Sequence, residues 1–261
     1  MVELNQRSGI GYSLILDIGN SRTKLFVTDD VKILYSATYE TIVDLEKIFA
    51  LFPQIKKGIY SASGQIAKEM ADFLNERLDY LIHFTSETPS PIKNLYKSPE
   101  TLGSDRLAAA IGVNHFLPNT NLIIFDFGTA ITIDFVDSEN NYLGGNISPG
   151  LSVRLKSLNF YTNRLPLVST PAKIEEIGTT TTKAIEIGVV RGIIGEIMSY
   201  INQYTGHKII FTGGDNFYFA EKIKSPIFVF RNPVVFGLNR VLRHNLELCF
   251  LTGIIKKQNV E

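Results

Sequence analysis

Two short stretches of the chain share one pattern of hydrophobic and polar positions. In each, an apolar run ends in Asp-x-Gly, a short turn follows, and a second apolar run begins, at residues 14–27 and 123–136. Such a pattern predicts a β-hairpin. Six of the fourteen aligned positions are identical: Ile15/Ile124, Asp17/Asp126, Gly19/Gly128, Thr23/Thr132, Phe26/Phe135 and Val27/Val136. The match indicates a duplicated domain, and the alternative is two unrelated hairpins that use similar residues.

The first hairpin is followed by a regular succession of predicted elements. Apolar residues favour a third strand at 31–38, and helical spacing recurs at 42–52 and 64–78. Short strands are predicted at 57–61 and 81–84. Three strands followed by helix, strand, helix and strand predict a mixed sheet with helical crossovers.

The second half of the chain follows a similar plan. An alanine-rich helix at 107–116 ends the first predicted domain, 1–118, and the second domain is predicted at 119–261. Its further elements are strands near 142–147 and at 207–211 and helices near 151–158, 183–204 and 232–248. In the long helix, Gly188, Gly192 and Gly195 each lower helix propensity by roughly 1 kcal/mol. Their spacing predicts a tight contact with another helix.

Composition narrows the class of protein. The chain has 261 residues, 44% of them hydrophobic, and a mean hydropathy of +0.08, so it can bury a sizeable core. The formal net charge is +0, which argues against binding to nucleic acid or to an anionic membrane. No run reaches the roughly 18–20 apolar residues of a membrane span, and no signal peptide is expected. The single cysteine, Cys249, suits a reducing compartment, so we expect a cytoplasmic protein.

The turn of the first hairpin carries groups that suit an anion. Gly19 is expected to adopt a positive φ angle and to let a ligand approach the backbone. Exposed amide N–H groups, together with Ser21 and Lys24, would form an anion-binding cradle. Asp17 cannot face a phosphate directly, so its carboxylate suggests a bridging Mg²⁺ or a bound water.

Two further polar segments suit phosphoryl transfer, which requires positioning, charge neutralisation and a base for the nucleophile. Asp105, just before a predicted helix, can accept a proton from a hydroxyl group. Arg106 can pair with a carboxylate substrate or neutralise phosphoryl charge. The turn Thr212-Gly-Gly-Asp215 would let the backbone approach a base or a ribose. Taken singly, such aspartates are also common as turn formers and helix caps.

Other chemistries lack their sequence signatures. The sequence has no Gly-x-x-x-x-Gly-Lys-Ser/Thr loop, no His-Glu-x-x-His pair and no Gly-x-Ser-x-Gly elbow. P-loop nucleotide binding, zinc hydrolysis and serine hydrolysis are therefore unsupported. The four histidines are interpreted as structural or surface residues: His83, His115, His207 and His244.

Several of these segments resemble the motifs of known proteins. Asp17-Ile-Gly-Asn-Ser-Arg-Thr-Lys24 and Asp126-Phe-Gly-Thr-Ala130, with Gly213 and Gly214, resemble the nucleotide clamp of the acetate kinase, sugar kinase, Hsp70 and actin superfamily. The more specific resemblance is to type III pantothenate kinases. It rests in addition on Tyr96 upstream of Gly103-Ser-Asp-Arg106, on Gly144-Gly-Asn-Ile-Ser-Pro-Gly150 and on Thr181. The Gly-x-Asp-Arg element separates this family from the rest of the superfamily.

The resemblance implies both a fold and an activity. The fold would be α/β, with duplicated ribonuclease H-like (actin-like ATPase) domains, mixed five-stranded sheets flanked by helices, and an active site in the cleft between the domains. The activity would be ATP-dependent phosphorylation of pantothenate to 4'-phosphopantothenate, the first step of coenzyme A synthesis. The family is dimeric and completes its pantothenate pocket across the interface, so a homodimer is implied.

The resemblance also implies roles for individual residues. ATP would be bound by Asp17, Ile18, Gly19, Asn20, Ser21, Arg22, Thr23, Lys24, Thr129, Gly213 and Gly214. Pantothenate would be bound by Tyr96, Gly103, Ser104, Asp105, Arg106 and Thr181, with Asp105 as the catalytic base. Asp126 would bind a monovalent cation, K⁺ or NH₄⁺, and Asp17 is assigned to Mg²⁺.

Two other functions remain open at this point. One is a catalytically silent nucleotide-binding regulator or accessory factor on the same fold, although such a protein need not retain the Gly-Ser-Asp-Arg element. The other is a different superfamily enzyme, such as a phosphatase or a kinase for another small alcohol. Release of ADP with and without pantothenate would distinguish all three.

Overall fold

The computed structural model describes residues 11–19, 22–29, 32–62 and 66–252. The chain divides into two compact units. Unit 1 comprises the described residues up to 116 together with those from 233 onward, and unit 2 comprises residues 117–232. Asn20 and Ser21, which belong to the predicted anion-binding turn, lie outside the described residues.

The elements follow one another in a strand-rich order. Unit 1 contains β1 (Ser13–Ile18), β2 (Thr23–Thr28), β3 (Ile33–Tyr39), α1 (Ile42–Leu51), β4 (Lys57–Ala62), α2 (Lys68–Arg77), β5 (Tyr80–His83), β6 (Lys93–Asn94), a 3₁₀ turn (Pro99–Thr101) and α3 (Ser104–Phe116). Unit 2 contains β7 (Leu122–Phe127), β8 (Ala130–Val136), β9 (Asn141–Pro149), α4 (Leu151–Tyr161), α5 (Thr181–Gln203), β10 (Lys208–Gly213), α6 (Asn216–Ala220) and β11 (Ile227–Val229). The last helix, α7 (Pro233–Thr252), belongs to unit 1.

The two units repeat one sheet topology. The strands of unit 1 lie in the order β3-β2-β1-β4-β5, and those of unit 2 lie in the order β9-β8-β7-β10-β11. In both units the first three strands pair antiparallel and the remaining pairs are parallel. The predicted fold class, duplicated α/β domains with mixed sheets flanked by helices, is therefore confirmed.

The pairing registers correct part of the internal sequence match. Asp17 pairs with Lys24 in the first hairpin, whereas Asp126 pairs with Thr132 in the second. One more residue therefore separates the paired positions in the first hairpin. Lys24, not Thr23, occupies the position of Thr132. The three identities after the turn are thus not structurally equivalent, and only those before the turn, Ile15/Ile124, Asp17/Asp126 and Gly19/Gly128, are.

Each unit has its own apolar core. In unit 1, alternate residues of β1 and β2, such as Leu14 and Leu25, pack against Ile48 of α1 and Leu74 of α2. In unit 2, one face of β7 packs with α4 and α5, through Ile123, Phe125, Phe127, Leu151, Leu155, Val190 and Ile193. The residues between these positions, such as Ile15 and Ile124, are buried as well, so both faces of β1 and β7 are covered. Continuous apolar runs such as those ahead of each Asp-x-Gly are typical of strands that are buried on both faces.

The closest helix contact lies elsewhere than predicted. At Gly112 of α3 and Gly237 of α7, a Cβ atom would overlap the backbone of the facing helix, at Pro233 and Ala108 respectively. At Gly188 and Gly195 of α5, a Cβ atom would meet no atom of the described residues within 4 Å. Within the described residues, the tight contact predicted for α5 is therefore absent.

Several element boundaries differ from the prediction. Helix α3 begins at Ser104 rather than at 107, so Asp105 lies in the first helical turn and not before the helix. Strands β6 and β11 were not predicted, because two or three residues are too few to show a hydrophobic period. The predicted domains, 1–118 and 119–261, differ from the units at α7, which groups with unit 1. No helix among the described residues has the length and apolar character needed to cross a membrane.

Candidate active site

One cavity of unit 1 brings together residues from distant parts of the chain. Its volume is about 370 Å³, and it is lined by the ends of β1 and β4, the segment after β5 and the start of α3. Strands β1 and β4 are parallel neighbours, so their carboxyl ends open onto the same edge of the sheet. The predicted ATP-binding residues Asp17, Ile18 and Gly19 thus share a cavity with the predicted substrate-binding residues Gly103, Ser104 and Asp105.

The Gly-Ser-Asp-Arg element has a local structural explanation. A Cβ atom on Gly103 would lie only 2.6 Å from Oδ1 of Asp105, so glycine leaves room for this carboxylate. The same oxygen accepts a hydrogen bond of 2.9 Å from the backbone N–H of Arg106. Asp105 is exposed, whereas Arg106 is 8% exposed. An acidic group in the first turn of a helix is also favoured by the helix dipole.

Asp17 lies in an electrostatically unfavourable position for a carboxylate. Burial raises its pKa above the ordinary value, the positive charge of Lys24 opposes that rise, and the negative charge of Asp105 adds to it. Lys24 lies directly across the hairpin from Asp17. The described cavity lining contains two carboxylates and no lysine or arginine. A cation bound beside Asp17 would offset this charge, so the residues fit the assignment of Mg²⁺.

The described residues contain no cluster of acidic, histidine or cysteine side chains of the kind that typically encloses a metal ion. Among them there is no group of three or more His, Cys, Asp or Glu side chains arranged to hold one. Magnesium commonly keeps several waters and is bound by one or two carboxylates plus phosphate oxygens of the substrate. A site with one or two carboxylates is therefore the kind that a nucleotide-bound Mg²⁺ requires.

The turn after β1 corrects one expectation. The φ angle of Gly19 lies outside the left-handed region, so the predicted positive φ angle is wrong. The turn is instead closed by a hydrogen bond of 3.1 Å from the N–H of Gly19 to the carbonyl of Arg22. Gly19, Arg22 and Lys24 are exposed, and Thr23 is half-buried.

Unit 2 gathers the other predicted nucleotide and cation residues. Gly213 has a φ angle of +88°, and a Cβ atom there would overlap the carboxylate of Asp126 and the backbone of Phe127. The N–H of Gly150 donates a 2.9 Å hydrogen bond to the carbonyl of Thr129, whose side chain is exposed. Asp126, the turn with Thr129 and the Gly213 turn are thus neighbours in this unit.

The turn after β10 is held by a side chain that the sequence analysis did not single out. Asn216 donates a 2.6 Å hydrogen bond from Nδ2 to the carbonyl of Gly213. The N–H of Asp215 donates to the carbonyl of Phe127 at 3.3 Å. Burial raises the pKa of Asp215. Gly214 is exposed, so its backbone is accessible to a ligand.

Three predicted substrate residues, Tyr96, Arg106 and Thr181, are not among the residues that line the cavity of unit 1. Tyr96 is half-buried, and its N–H donates to Oδ1 of Asn94 at 3.0 Å. Thr181 is exposed at the start of α5 in unit 2, next to Thr180, whose hydroxyl accepts a hydrogen bond from the N–H of Lys183. Among the described residues, neither Tyr96 nor Arg106 lines this cavity.

The cavity also contains residues that sequence reasoning missed: Ser61, Ala62, His83, Thr85, Ser86, Thr101 and Leu102. Ser61 lies near the end of β4, the parallel neighbour of β1. His83 was interpreted as a structural or surface residue, and the structure adds that it lines the cavity. Its ring stacks on Tyr60 at 4.6 Å, it lines the cavity, and burial lowers its pKa.

Comparison with solved structures supports the fold. A Campylobacter jejuni protein whose name assigns it to the Baf family of transcriptional activators matches 90% of this chain and 99% of its own, with a TM-score of 0.61 and 23% identity. The activator of 2-hydroxyisocaproyl-CoA dehydratase from Clostridium difficile, solved with bound ADPNP, matches 94% of this chain and 99% of its own, with a TM-score of 0.54 and 15% identity. At these identities the likeness concerns the fold alone.

Comparison with protein sequences identifies the family. The family model for type III pantothenate kinase matches residues 13–203. A type III pantothenate kinase of Phocaeicola vulgatus is 39% identical over 243 residues, which cover 90% of this chain and 100% of the relative. One of Porphyromonas gingivalis is 38% identical over 246 residues, covering 91% and 100% respectively. The chain therefore belongs to the type III pantothenate kinase family.

Proposed function

We propose that this protein transfers the γ-phosphoryl group of ATP to the hydroxyl of pantothenate and so forms 4'-phosphopantothenate for coenzyme A synthesis. The observation that carries this proposal is the shared cavity of Asp17, Gly19 and Asp105. It supports the proposal because a candidate base and a candidate phosphate-binding turn line the same cavity. Membership of the type III pantothenate kinase family supplies the identity of the alcohol.

In this proposal, the Asp-x-Gly turn of each unit is an ATP-binding segment. Gly19 and Gly128 both have backbone angles outside the left-handed region, and a Cβ atom on either would come no closer than 3.4 Å and 3.5 Å to its nearest neighbour. The fold of the chain itself therefore does not demand glycine at these positions. A phosphate group that approaches the backbone closely would explain why glycine is present at both positions. Lys24 and Thr129, both exposed, would contribute further donors.

Asp105 acts as the base in this reaction. Its carboxylate accepts the proton of the pantothenate hydroxyl as the oxygen attacks the γ-phosphorus and ADP leaves. One carboxylate oxygen already accepts a hydrogen bond from Arg106, so the side chain is held in a defined direction. Gly103 leaves the space that this direction requires.

Two cations complete the proposed site. Asp17 would hold Mg²⁺ or its water shell, and the ion would neutralise phosphate charge. Asp126 would bind K⁺ or NH₄⁺. Supporting this, the Asp126 carboxylate and the carbonyl of Phe127 lie together beside Gly213, and oxygen atoms are the ligands that such cations prefer.

Pantothenate would be bound by Tyr96, the Gly103–Arg106 element and Thr181, as in the resemblance that identified them. The buried guanidinium of Arg106 suits pairing with a carboxylate. Thr181 belongs to unit 2, at the beginning of α5. The pantothenate pocket would be completed across the interface of a homodimer.

A homodimer is the proposed assembly. On α5, Gly188, Gly192 and Gly195 are all exposed and recur on one side of the helix. In the same unit, Phe160 and Tyr161 are 79% and 81% exposed. A second copy that covers these groups would bury apolar surface and use the small residues for close backbone packing.

Release of ADP tests the function directly. Purified protein with ATP and Mg²⁺ should release ADP only when pantothenate is present, at a rate that saturates with pantothenate. ADP release that does not depend on pantothenate would indicate a phosphatase or another kinase. Binding of ATP without any turnover would indicate a regulatory protein.

A further inference from the structure

Ser61 occupies a central place in the cavity of unit 1. It is 3% exposed and lies near the end of β4, in register with Asp17 of the parallel neighbour β1. Its Oγ lies 2.8 Å from Oγ of Ser104, the first residue of α3. Asp105 is the next residue of that helix. Ser61 therefore connects the strand beside Asp17 to the helical turn that carries Asp105.

The orientation of Asp105 depends on the first turn of α3. Its Oδ1 accepts a hydrogen bond from the N–H of Arg106, so the carboxylate is held against the backbone of the same turn. The position of the carboxylate in the cavity is then set by where this turn lies relative to the sheet. The hydrogen bond between Ser61 and Ser104 connects the sheet to this turn, and both side chains line the cavity.

We propose that Ser61 is a positioning residue for Asp105, acting through the hydroxyl of Ser104. The inference rests on the proposed function, in which Asp105 is the base. A carboxylate misplaced by about 1 Å can lower the rate of a reaction by roughly 100-fold. Binding of ATP would be much less affected, because neither hydroxyl has been placed in the nucleotide-binding turn.

The test compares turnover with nucleotide binding in Ser61→Ala. We expect kcat to fall by roughly 10-fold to 100-fold, while the dissociation constant for ADPNP stays within about twofold. Ser104→Ala should have a similar effect on kcat. Because the two hydroxyls act as one unit, the double variant should be no slower than the slower single variant. Ser61→Thr keeps the hydroxyl and should restore most of the rate.

A matched control separates positioning from a general effect of removing a buried serine. Ser13 is 2% exposed and lies at the opposite end of β1, beside Lys57. Ser13→Ala should leave kcat unchanged. A purely structural role for Ser61 would instead lower the unfolding temperature of Ser61→Ala and leave kcat per folded molecule unchanged.

Three results would overturn the inference: a kcat of Ser61→Ala within twofold of the parent protein, an equal loss in Ser13→Ala, or losses that multiply in the double variant. Asp105→Asn, measured in parallel, distinguishes this failure from failure of the proposed function. If Asp105→Asn turns over normally, the base is wrongly assigned and the inference fails with it. If Asp105→Asn is inactive and Ser61→Ala is unimpaired, only the role of Ser61 is wrong.

Discussion

Asp17 combines partial burial with two charged neighbours of opposite sign. Its pKa in the folded protein is raised, chiefly by burial and further by Asp105. Folding then favours the protonated form, so the contribution to stability is fully present below the unfolded pKa, near the ordinary value of 3.8, and is lost as the pH rises through the folded pKa. At neutral pH the ionised side chain therefore destabilises the protein. A functional role of the carboxylate would explain why an aspartate is present at this position.

Asp17→Asn should raise the unfolding temperature at pH 8, by an amount on the order of 2–4 °C, and should abolish turnover. The gain should disappear well below pH 3.8, where the parent side chain is protonated in both the folded and the unfolded state. Thermal unfolding at the two pH values, without nucleotide, measures this. The control is Asp44→Asn, since hydrogen bonds from Glu40 and Thr41 lower the pKa of Asp44 and its loss should not stabilise the protein at pH 8. A gain for Asp17→Asn that persists well below pH 3.8 would contradict the account.

Lys24 should act on the nucleotide and not on the alcohol. It is exposed and lies across the hairpin from Asp17, within the proposed phosphate-binding turn. Lys24→Ala should raise KM for ATP by roughly 10-fold, the loss expected for one charge-assisted hydrogen bond, with KM for pantothenate nearly unchanged. Steady-state titration of each substrate measures both constants, and an effect confined to pantothenate would refute the assignment.

At the scale of elements, the turn after β10 depends on a glycine for two reasons. Gly213 has a left-handed backbone, and a Cβ atom there would also overlap Asp126. Gly206 has a similar φ angle, +95°, but within the described part of the chain a Cβ atom would meet nothing closer than 4 Å. The two positions therefore separate backbone strain from steric overlap.

Gly206→Ala should lower the free energy of unfolding by about 1–2 kcal/mol, the cost of a left-handed alanine. Gly213→Ala should lower the free energy of unfolding by distinctly more than Gly206→Ala does. It should also weaken ATP binding, because Asp126 or the turn must move. Denaturant unfolding of both variants, with ADPNP titration, provides the measurement. If both variants lose the same free energy of unfolding, the contact with Asp126 is unimportant.

The elements differ in how well the sequence predicted them. Both hairpins were predictable, because β1, β2 and β7 are continuous apolar runs that are buried on both faces, and each pair of runs is separated by a short polar turn. Their equivalence after the turn was misjudged, since an ungapped alignment cannot show that one hairpin has an additional residue between paired positions. The start of α3 was missed because Gly103-Ser-Asp-Arg106 has no apolar period, although Asp105 in the first turn suits a helix.

At the scale of the whole molecule, long-range contacts determine two features that the sequence did not predict: the unit to which the last helix belongs and part of the cavity lining. Helix α7 follows unit 2 in the chain but groups with unit 1, where Gly237 packs on Ala108. The local pattern of apolar residues does not predict which unit a terminal helix packs against. The same holds for Ser61 and His83, whose place in the cavity follows from the order of β1, β4 and β5. The motif residues, in contrast, were recognisable from the sequence because they are contiguous.

The oligomeric state is a prediction at this scale. Sedimentation or light scattering should give twice the mass of 29.2 kDa. Gly188→Leu has space beside it, because a Cβ atom there meets none of the residues that the structure describes within 4 Å. It should therefore keep the fold and yield a monomer with impaired use of pantothenate. A dimer unaffected by this change would place the interface elsewhere.

The most direct test of the central claim is pantothenate-dependent ADP release by Asp105→Asn. The asparagine keeps the shape of the side chain but cannot accept the proton, so turnover should fall by roughly 100-fold to 10,000-fold, with ADPNP binding retained. Asp72→Asn, at an exposed position of α2, is the control and should turn over normally. Normal turnover by Asp105→Asn would contradict the account, because the cavity would then hold no catalytic base at that position.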